Sequence, residues 1–148
     1  MSHVREQIRD AAHAAVTGLI TTGARAYASR VYPMTAATLP GLIVYTKSEE
    51  SEPATMGRAS RRIARRLSLV VEGYVKLTAG ASDKADTICA EVEAAIVADA
   101  ALQALVKDVY LSSTEIKLMG DAEKPVAVVT MNFSAIYHTA ENAPQTAI

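Results

Sequence analysis

The stretch Leu67-Ser-Leu-Val-Val-Glu-Gly-Tyr-Val-Lys76 decides the fold of this chain. Its residues alternate between two sides, with Leu67, Leu69, Val71, Gly73 and Val75 on one and Ser68, Val70, Glu72, Tyr74 and Lys76 on the other. A period of two is typical of a strand that has one face in the core. A turn at Ala79-Gly80 follows, so the stretch predicts a long, half-buried strand.

Two amphipathic helices flank this strand in the sequence. Near the N-terminus, apolar residues recur every three or four positions up to Gly18 or Gly23, at Val4, Ile8, Ala11, Ala12, Ala15 and Leu19. A second series follows Asp83, which we expect to be an N-cap, and comprises Ala85, Ile88, Cys89, Val92, Ala95 and Ile96. This spacing predicts one apolar face on each helix.

Further strands are predicted at residues 25–32, 39–46, 109–118 and 126–137, and the last two form a hairpin. This order indicates an α+β domain with a single, mainly antiparallel β-sheet and two helices packed on one face. We assign residues 1–138 to this one domain. Residues 139–148 are small and polar, and Pro144 is expected to prevent regular structure, which predicts an exposed, flexible C-terminal tail.

Composition narrows the possible functions. The chain has 148 residues and a formal net charge of −1, which suits one core and excludes a molecule drawn as a whole to nucleic acid or an anionic membrane. The one cysteine, Cys89, cannot form an intramolecular disulfide and is interpreted as a small hydrophobe. No signal-like segment and no apolar run of about 20 residues is found. We therefore expect folding in a reducing cytoplasm and no membrane partner.

Residues for bond-making chemistry are sparse. The sequence has no glycine-rich phosphate loop, zinc-protease motif or Cys-x-x-Cys pair, and His3, His13 and His138 are far apart along the chain. Glu72 lies among apolar residues, where a carboxylate can act as a general acid or base, but no second carboxylate or nucleophile has a useful spacing. We expect a structural role for Glu72, no catalytic or metal-binding residues, no cofactor, and no enzymatic activity.

Charge is concentrated between residues 47 and 66. Residues 47–63 show no periodicity and are predicted to form the longest loop, which in compact domains is usually functional or disordered. The acids come first and the arginines last. We predict that this loop contacts a partner through Lys47, Glu49, Glu50, Glu52, Arg58, Arg61, Arg62, Arg65 and Arg66. The alternatives are a solvated loop that keeps a strand edge soluble and arginine contacts to nucleic-acid phosphates, although the interleaved aromatics typical of such binders are missing.

The order of these segments resembles the tail terminator, or tail completion, proteins of long-tailed bacteriophages, a family that includes the minor tail protein U of phage lambda. The resemblance covers nearly the whole chain. It rests on the helix from His3, the strand Leu39-Pro-Gly-Leu-Ile-Val-Tyr45, the polar segment, the strand from Leu67, the helix from Asp83 and the closing strand that ends at Tyr137. The arginine-rich segment and the C-terminal tail differ from lambda's protein.

The resemblance implies a structural virion protein without catalytic residues. Such a protein forms a ring, typically hexameric, on the last ring of the tail tube, ends its polymerisation and offers a surface to the head-side connector, with DNA near the ring lumen. It would lie in the tail or neck of the virion, and in the host cytoplasm during assembly. The alternatives are another phage neck or head-tail joining subunit and, less favoured, a small nucleic-acid-binding module that uses the arginine run.

Overall fold

The chain folds into one layer of helices on one sheet. A computed structural model describes residues 2–28, 39–57, 59, 61–76, 79–119 and 126–148. In chain order the elements are α1 (Val4–Val16), β1 (Ala26–Tyr27), β2 (Gly41–Pro53), β3 (Arg62–Lys76), α2 (Ala81–Ala98), α3 (Ala100–Leu105), β4 (Asp108–Met119), β5 (Val126–Ala140) and β6 (Ala143–Ala147). The α+β class predicted from the sequence is confirmed.

Among the described residues, the sheet has six strands in the order β1-β2-β3-β5-β4, with β6 also beside β5. Only the short β1–β2 pair is parallel among the pairs of described strands. The predicted hairpin is present as β4 and β5, and the long β5 lies between β3 and β4, as its length indicates. Residues 120–125, between these strands, and residues 29–32 of the first predicted strand lie outside the described residues.

The core lies between the helices and one face of the sheet, which we call the covered face. The alternation predicted for β3 is confirmed, because every second residue from Leu67 to Val75 is buried, and β5 shows the same pattern from Ala127 to Tyr137. From the helices the same core receives Val4, Ile8, Ala12, Val16, Ala81, Ile88, Val92 and Ile96. Gly73 permits close packing, because a Cβ there would lie 3.0 Å from Val129 Cγ1 and 3.1 Å from Ile88 Cγ2.

The second predicted helix begins two residues before Asp83, and a separate short helix follows it. α2 begins at Ala81 with Gly80 as N-cap, so Asp83 lies in the first turn, where its charge suits the helix dipole, and is not the cap. At Asp99 the backbone is extended, and its carboxylate accepts a hydrogen bond from Leu102 N at 2.9 Å to start the separate helix α3. No helix in the described ranges is long and apolar enough to cross a bilayer.

The C-terminal residues form a strand. β5 continues to Ala140, and β6 pairs with it in antiparallel fashion, while Gln7 Nε2 donates to Gln145 O at 2.9 Å. The expectation that Pro144 prevents regular structure is therefore wrong, because proline is compatible with an edge strand, where its nitrogen needs no hydrogen-bond acceptor. The division into a domain of residues 1–138 and a flexible tail of residues 139–148 stays a prediction.

Truncation of Phe133 tests the packing of helices on the sheet. Phe133 is fully buried on β5, so Phe133→Ala should lower the free energy of unfolding by about 3–5 kcal/mol through lost burial and a residual cavity. Val97→Ala, on the exposed side of α2, is the control and should change it by less than about 0.5 kcal/mol. Urea unfolding followed by circular dichroism measures both. A neutral Phe133→Ala would contradict the assigned core.

Candidate functional site

The charged segment forms a hairpin rather than a long loop. β2 continues to Pro53 and β3 begins at Arg62, which reduces the connection to residues 54–61. Glu50 lies opposite Arg66 and Ser51 opposite Arg65. The predicted loop over residues 47–63 is therefore wrong. The acids and the arginines occupy facing strands, where opposite charges stabilise strand pairing.

A β-bulge explains why the sequence shows no periodicity here. The register of β2 against β3 shifts between Thr46 and Ser48, which moves the alternation of β2 by one residue. After the bulge Glu49 lies opposite Leu67 and takes the covered face. Its neighbours Glu50 and Glu52 take the other side of the sheet, which we call the open face.

Glu49 is the centre of a buried polar network on the covered face, and its side chain is only 7% exposed. Its Oε2 accepts from Arg5 Nη1 at 2.8 Å and Arg65 Nη1 at 3.1 Å, and Tyr137 Oη donates to Oε1. Arg65 Nε also donates to Thr139 Oγ1 at 3.1 Å. These charge-assisted bonds offset the cost of burying the carboxylate. Glu49 and Arg65 thus join α1, β2, β3 and β5.

The network fixes the protonation of its neighbours. Burial and the hydrogen bond to Glu49 raise the pKa of Tyr137 above its ordinary value of 10.0, so its hydroxyl remains a donor to higher pH than that of a free tyrosine. His3, the N-cap of α1, accepts from Arg5 N at 3.1 Å through Nδ1. Burial and the charge of Arg5 lower the pKa of His3, which favours the neutral imidazole that can act as this acceptor.

Four exposed charged residues occupy the open face of the same hairpin, and we call them the open-face charges: Glu50, Glu52, Arg62 and Arg66. Within the part of the chain that the structure describes, none of these four side chains forms an ion pair or hydrogen bond. Beside them is a cleft of about 370 Å³ lined by Glu50, Ser51, Glu52, Ala64, Arg65, Arg66 and Ile136.

Two other residues of the predicted contact set, Arg61 and Lys47, have different surroundings. Arg61 Nε donates to Gly57 O at 3.0 Å, and its Nη1 lies 3.6 Å from Glu141 Oε1, so Arg61 links the turn of the hairpin to the C-terminal residues. Lys47 is exposed at the bulge. Arg58 lies outside the described residues. Whether this set contacts a partner stays a prediction.

Sequence reasoning missed three members of the Glu49 network, namely Arg5, Tyr137 and Thr139. Arg5 and Tyr137 are separated from Glu49 by 44 and 88 residues, and no local pattern signals either contact. The one available signal was the order of charges in residues 47–66, with the acids first and the arginines last. That signal predicts a charged surface equally well, because it does not show which face each residue takes.

Glu72 has structural partners on the open face. Tyr45 Oη donates to Glu72 Oε1, and Tyr74 Oη donates to Oε2 at 3.0 Å. Burial and the negative charge of Glu72 raise the pKa of Tyr74.

Cys89 is half-buried. Burial and, to a smaller extent, the negative charge of Glu93 raise the pKa of its thiol. In the described ranges no group of three or more His, Cys, Asp or Glu residues is placed to hold a metal ion.

Comparison with known proteins yields a similarity in structure alone. No protein-family model matches the chain, and no curated protein matches it. Among solved structures, it is similar to a chain of "Virion of native gene transfer agent (GTA) particle", with 17% sequence identity and a TM-score of 0.49, over 93% of this chain and 92% of that chain. At this identity and TM-score, the similarity supports no conclusion about function.

Two neighbouring acids allow a matched test of the buried network. Glu49→Gln leaves Arg5 and Arg65 without their carboxylate, so the free energy of unfolding should fall by about 2–4 kcal/mol. Glu50→Gln, which removes the same charge one residue away on the open face, should change it by less than about 0.5 kcal/mol. Equal effects of the two variants in urea unfolding would show that the Glu49 network stabilises the fold no more than an exposed acid does.

The tyrosine bonded to Glu49 makes stability sensitive to alkaline pH. Above its ordinary pKa of 10.0, Tyr137 releases its proton in the unfolded chain but keeps it in the folded chain, so its contribution is complete below pH 10 and declines as the pH rises. The slope is about 1.4 kcal/mol per pH unit. Tyr137→Phe should be less stable at neutral pH but lose stability less steeply above pH 10. Identical slopes in urea unfolding would contradict the raised pKa.

Proposed function

We propose that this chain is a structural virion protein of a phage-like particle, acting as a tail terminator. A ring of copies, typically six, would sit on the last ring of the tail tube, end its polymerisation and join it to the head-side connector. The proposal rests on the family resemblance of the sequence and on the open-face charges. It needs no catalytic residue, cofactor or metal.

The open-face charges are the observation that carries this proposal. Glu50, Glu52, Arg62 and Arg66 are exposed on two paired strands, and the acids lie beside the arginines. A surface that binds nucleic-acid phosphates is predominantly basic, because each neutralised phosphate needs a cation. Charges of both signs at fixed positions suit a complementary protein surface, where they set orientation and exclude wrong partners. This favours a subunit, tube or connector contact over nucleic acid.

The Glu49 network supports the same proposal from the covered face. It ties the hairpin to α1 through Arg5 and to β5 through Tyr137, so the strands that bear the open-face charges are held in place before any partner binds. A surface that is already ordered loses less conformational entropy on binding. An adaptor between two fixed assemblies benefits from such a surface, because its contacts must match both at once.

In this role the partners are other copies of the chain, the tail tube protein and the head-side connector or completion protein, with DNA passing through the lumen. The protein would be located in the tail or neck of the virion and, during assembly, in the host cytoplasm. Another neck or head-tail joining subunit would present the same kind of surface. The two roles differ in one respect, since only a terminator controls the length of the tail.

Reversal of the arginines on the open face tests the proposed role. Cells that produce the particles without this protein should form tubes of uncontrolled length, and the wild-type protein should restore a uniform length. Arg62→Glu with Arg66→Glu should remain folded, because the new acid opposite Glu50 costs at most about 1 kcal/mol, yet should fail to restore it. Electron microscopy measures tail length, and thermal melting checks the fold.

Lys84→Glu with Lys107→Glu is the matched control, because it makes the same change in net charge at two exposed residues elsewhere and should restore uniform tails. If the variant with Arg62→Glu and Arg66→Glu also restored uniform tails, the open-face charges would not be part of the contact. A protein absent from purified particles would overturn the virion role. A protein that is present at the neck and affects head attachment without affecting tail length would be a joining subunit instead.

A further inference from the structure

The outer edge of β4 is a second surface that the proposed function does not use. The sheet order ends at β4, which pairs with β5 on one side and with no strand of the described residues on the other. Residues 112–118 are all exposed. An exposed strand edge presents unpaired N–H and C=O groups and is a template for another strand.

The two faces of this edge differ in chemistry. Ile116 and Leu118 lie opposite Val129 and Ala127 of β5, which belong to the core, so both take the covered face. They are nevertheless 51% and 66% exposed. The open face carries one acid and one base, with Lys117 Nζ 3.5 Å from Glu115 Oε1. The edge therefore offers apolar area on one face and both charges on the other.

The regular part of the edge has a defined centre. The register of β4 shifts between Leu111 and Ser113, and the strand ends at Met119. Between these limits the middle residue is Ile116. If a second copy pairs antiparallel about this residue, Ile116 faces Ile116 of the other copy, and Glu115 of each copy faces Lys117 of the other. Directly opposite residues share a face, so both ion pairs lie on the open face.

The charges disfavour the competing registers. A shift of two residues in one direction places Glu115 opposite Glu115, and a shift in the other direction places Lys117 opposite Lys117. Parallel pairing in register makes both like-charge contacts. A shift of one residue sets the covered face of one copy beside the open face of the other. Since like charges directly opposite each other are destabilising, one register remains favourable.

We propose that the free protein forms a symmetric dimer through β4, paired antiparallel about Ile116 of each copy. The partner is a second copy because the sequence around Ile116 is complementary to itself. The twofold axis runs perpendicular to the sheet, so the sheets become continuous and the helices of both copies lie on one side. One strand pair buries little area, which makes the dimer weak and dependent on concentration. The inference does not depend on the proposed function.

Charge reversal on β4 tests the dimer and its register together. Glu115→Lys and Lys117→Glu each convert both ion pairs into like-charge contacts, so each should weaken the dimer at least about tenfold. The double variant Glu115→Lys/Lys117→Glu should dimerise like the wild type. When the two single variants are mixed they should form a heterodimer, because one then carries only bases and the other only acids at these positions. Sedimentation equilibrium over a range of concentrations measures all four.

Two further variants complete the design. Lys84→Glu makes the same change in net charge as Lys117→Glu but lies on α2, and should leave the dimer unchanged. Ile116→Thr should weaken the dimer without any change in charge. Circular dichroism confirms that each variant is folded. A protein that stays monomeric at every concentration, reversals that leave association unchanged, or single variants that do not associate when mixed would each overturn the proposal. The tail-length assay tests the role of the open-face charges, so its result does not depend on whether the β4 dimer forms.

Discussion

The pairing of β3 with β5 is the constraint on which the rest of the structure depends. The two strands pair without interruption from Arg62 opposite Ala140 to Lys76 opposite Val126. Because alternate residues of both strands are apolar, this pairing creates one continuous apolar face, which α2 covers while α1 packs beside it against β2 and β6. β2 and β4 then pair on either side. The same long pairing extends beyond the apolar core, so one end of the sheet must be stabilised by polar contacts.

Glu49 provides those contacts, and a β-bulge in β2 directs its side chain towards them. The bulge after Thr46 directs Glu49 towards the covered face and Glu50 towards the open face. On the covered face the carboxylate meets Arg5, Arg65 and Tyr137. A buried charge with several hydrogen-bond partners restricts the geometry more than apolar packing does, because each bond has a preferred length and direction. The hairpin is thus ordered on one face while its other face remains available.

Two exposed surfaces within the described residues therefore differ in character. The open-face charges present acids and arginines from two paired strands, an arrangement that suits a complementary protein. The edge of β4 presents unpaired backbone groups, apolar side chains at Ile116 and Leu118, and one ion pair that is complementary to itself. At the edge of β4, backbone hydrogen bonds would hold a second strand, and the charges of Glu115 and Lys117 would favour one register. These surfaces lie on different strands, so each can be altered by substitution without changing the other.

The sequence by itself determined the fold class, the buried faces of β3 and β5 and the apolar sides of α1 and α2, because local periodicity encodes burial. It did not show β6, the break at Asp99 or the length of the β2–β3 hairpin, where a bulge and two polar faces remove the alternation. It identified Glu49 and Arg65 as charged neighbours of Glu50 and Arg66. Only the tertiary structure decided which of them turn inward, because Arg5 and Tyr137 are far from Glu49 along the chain and meet it only through helix packing and strand register.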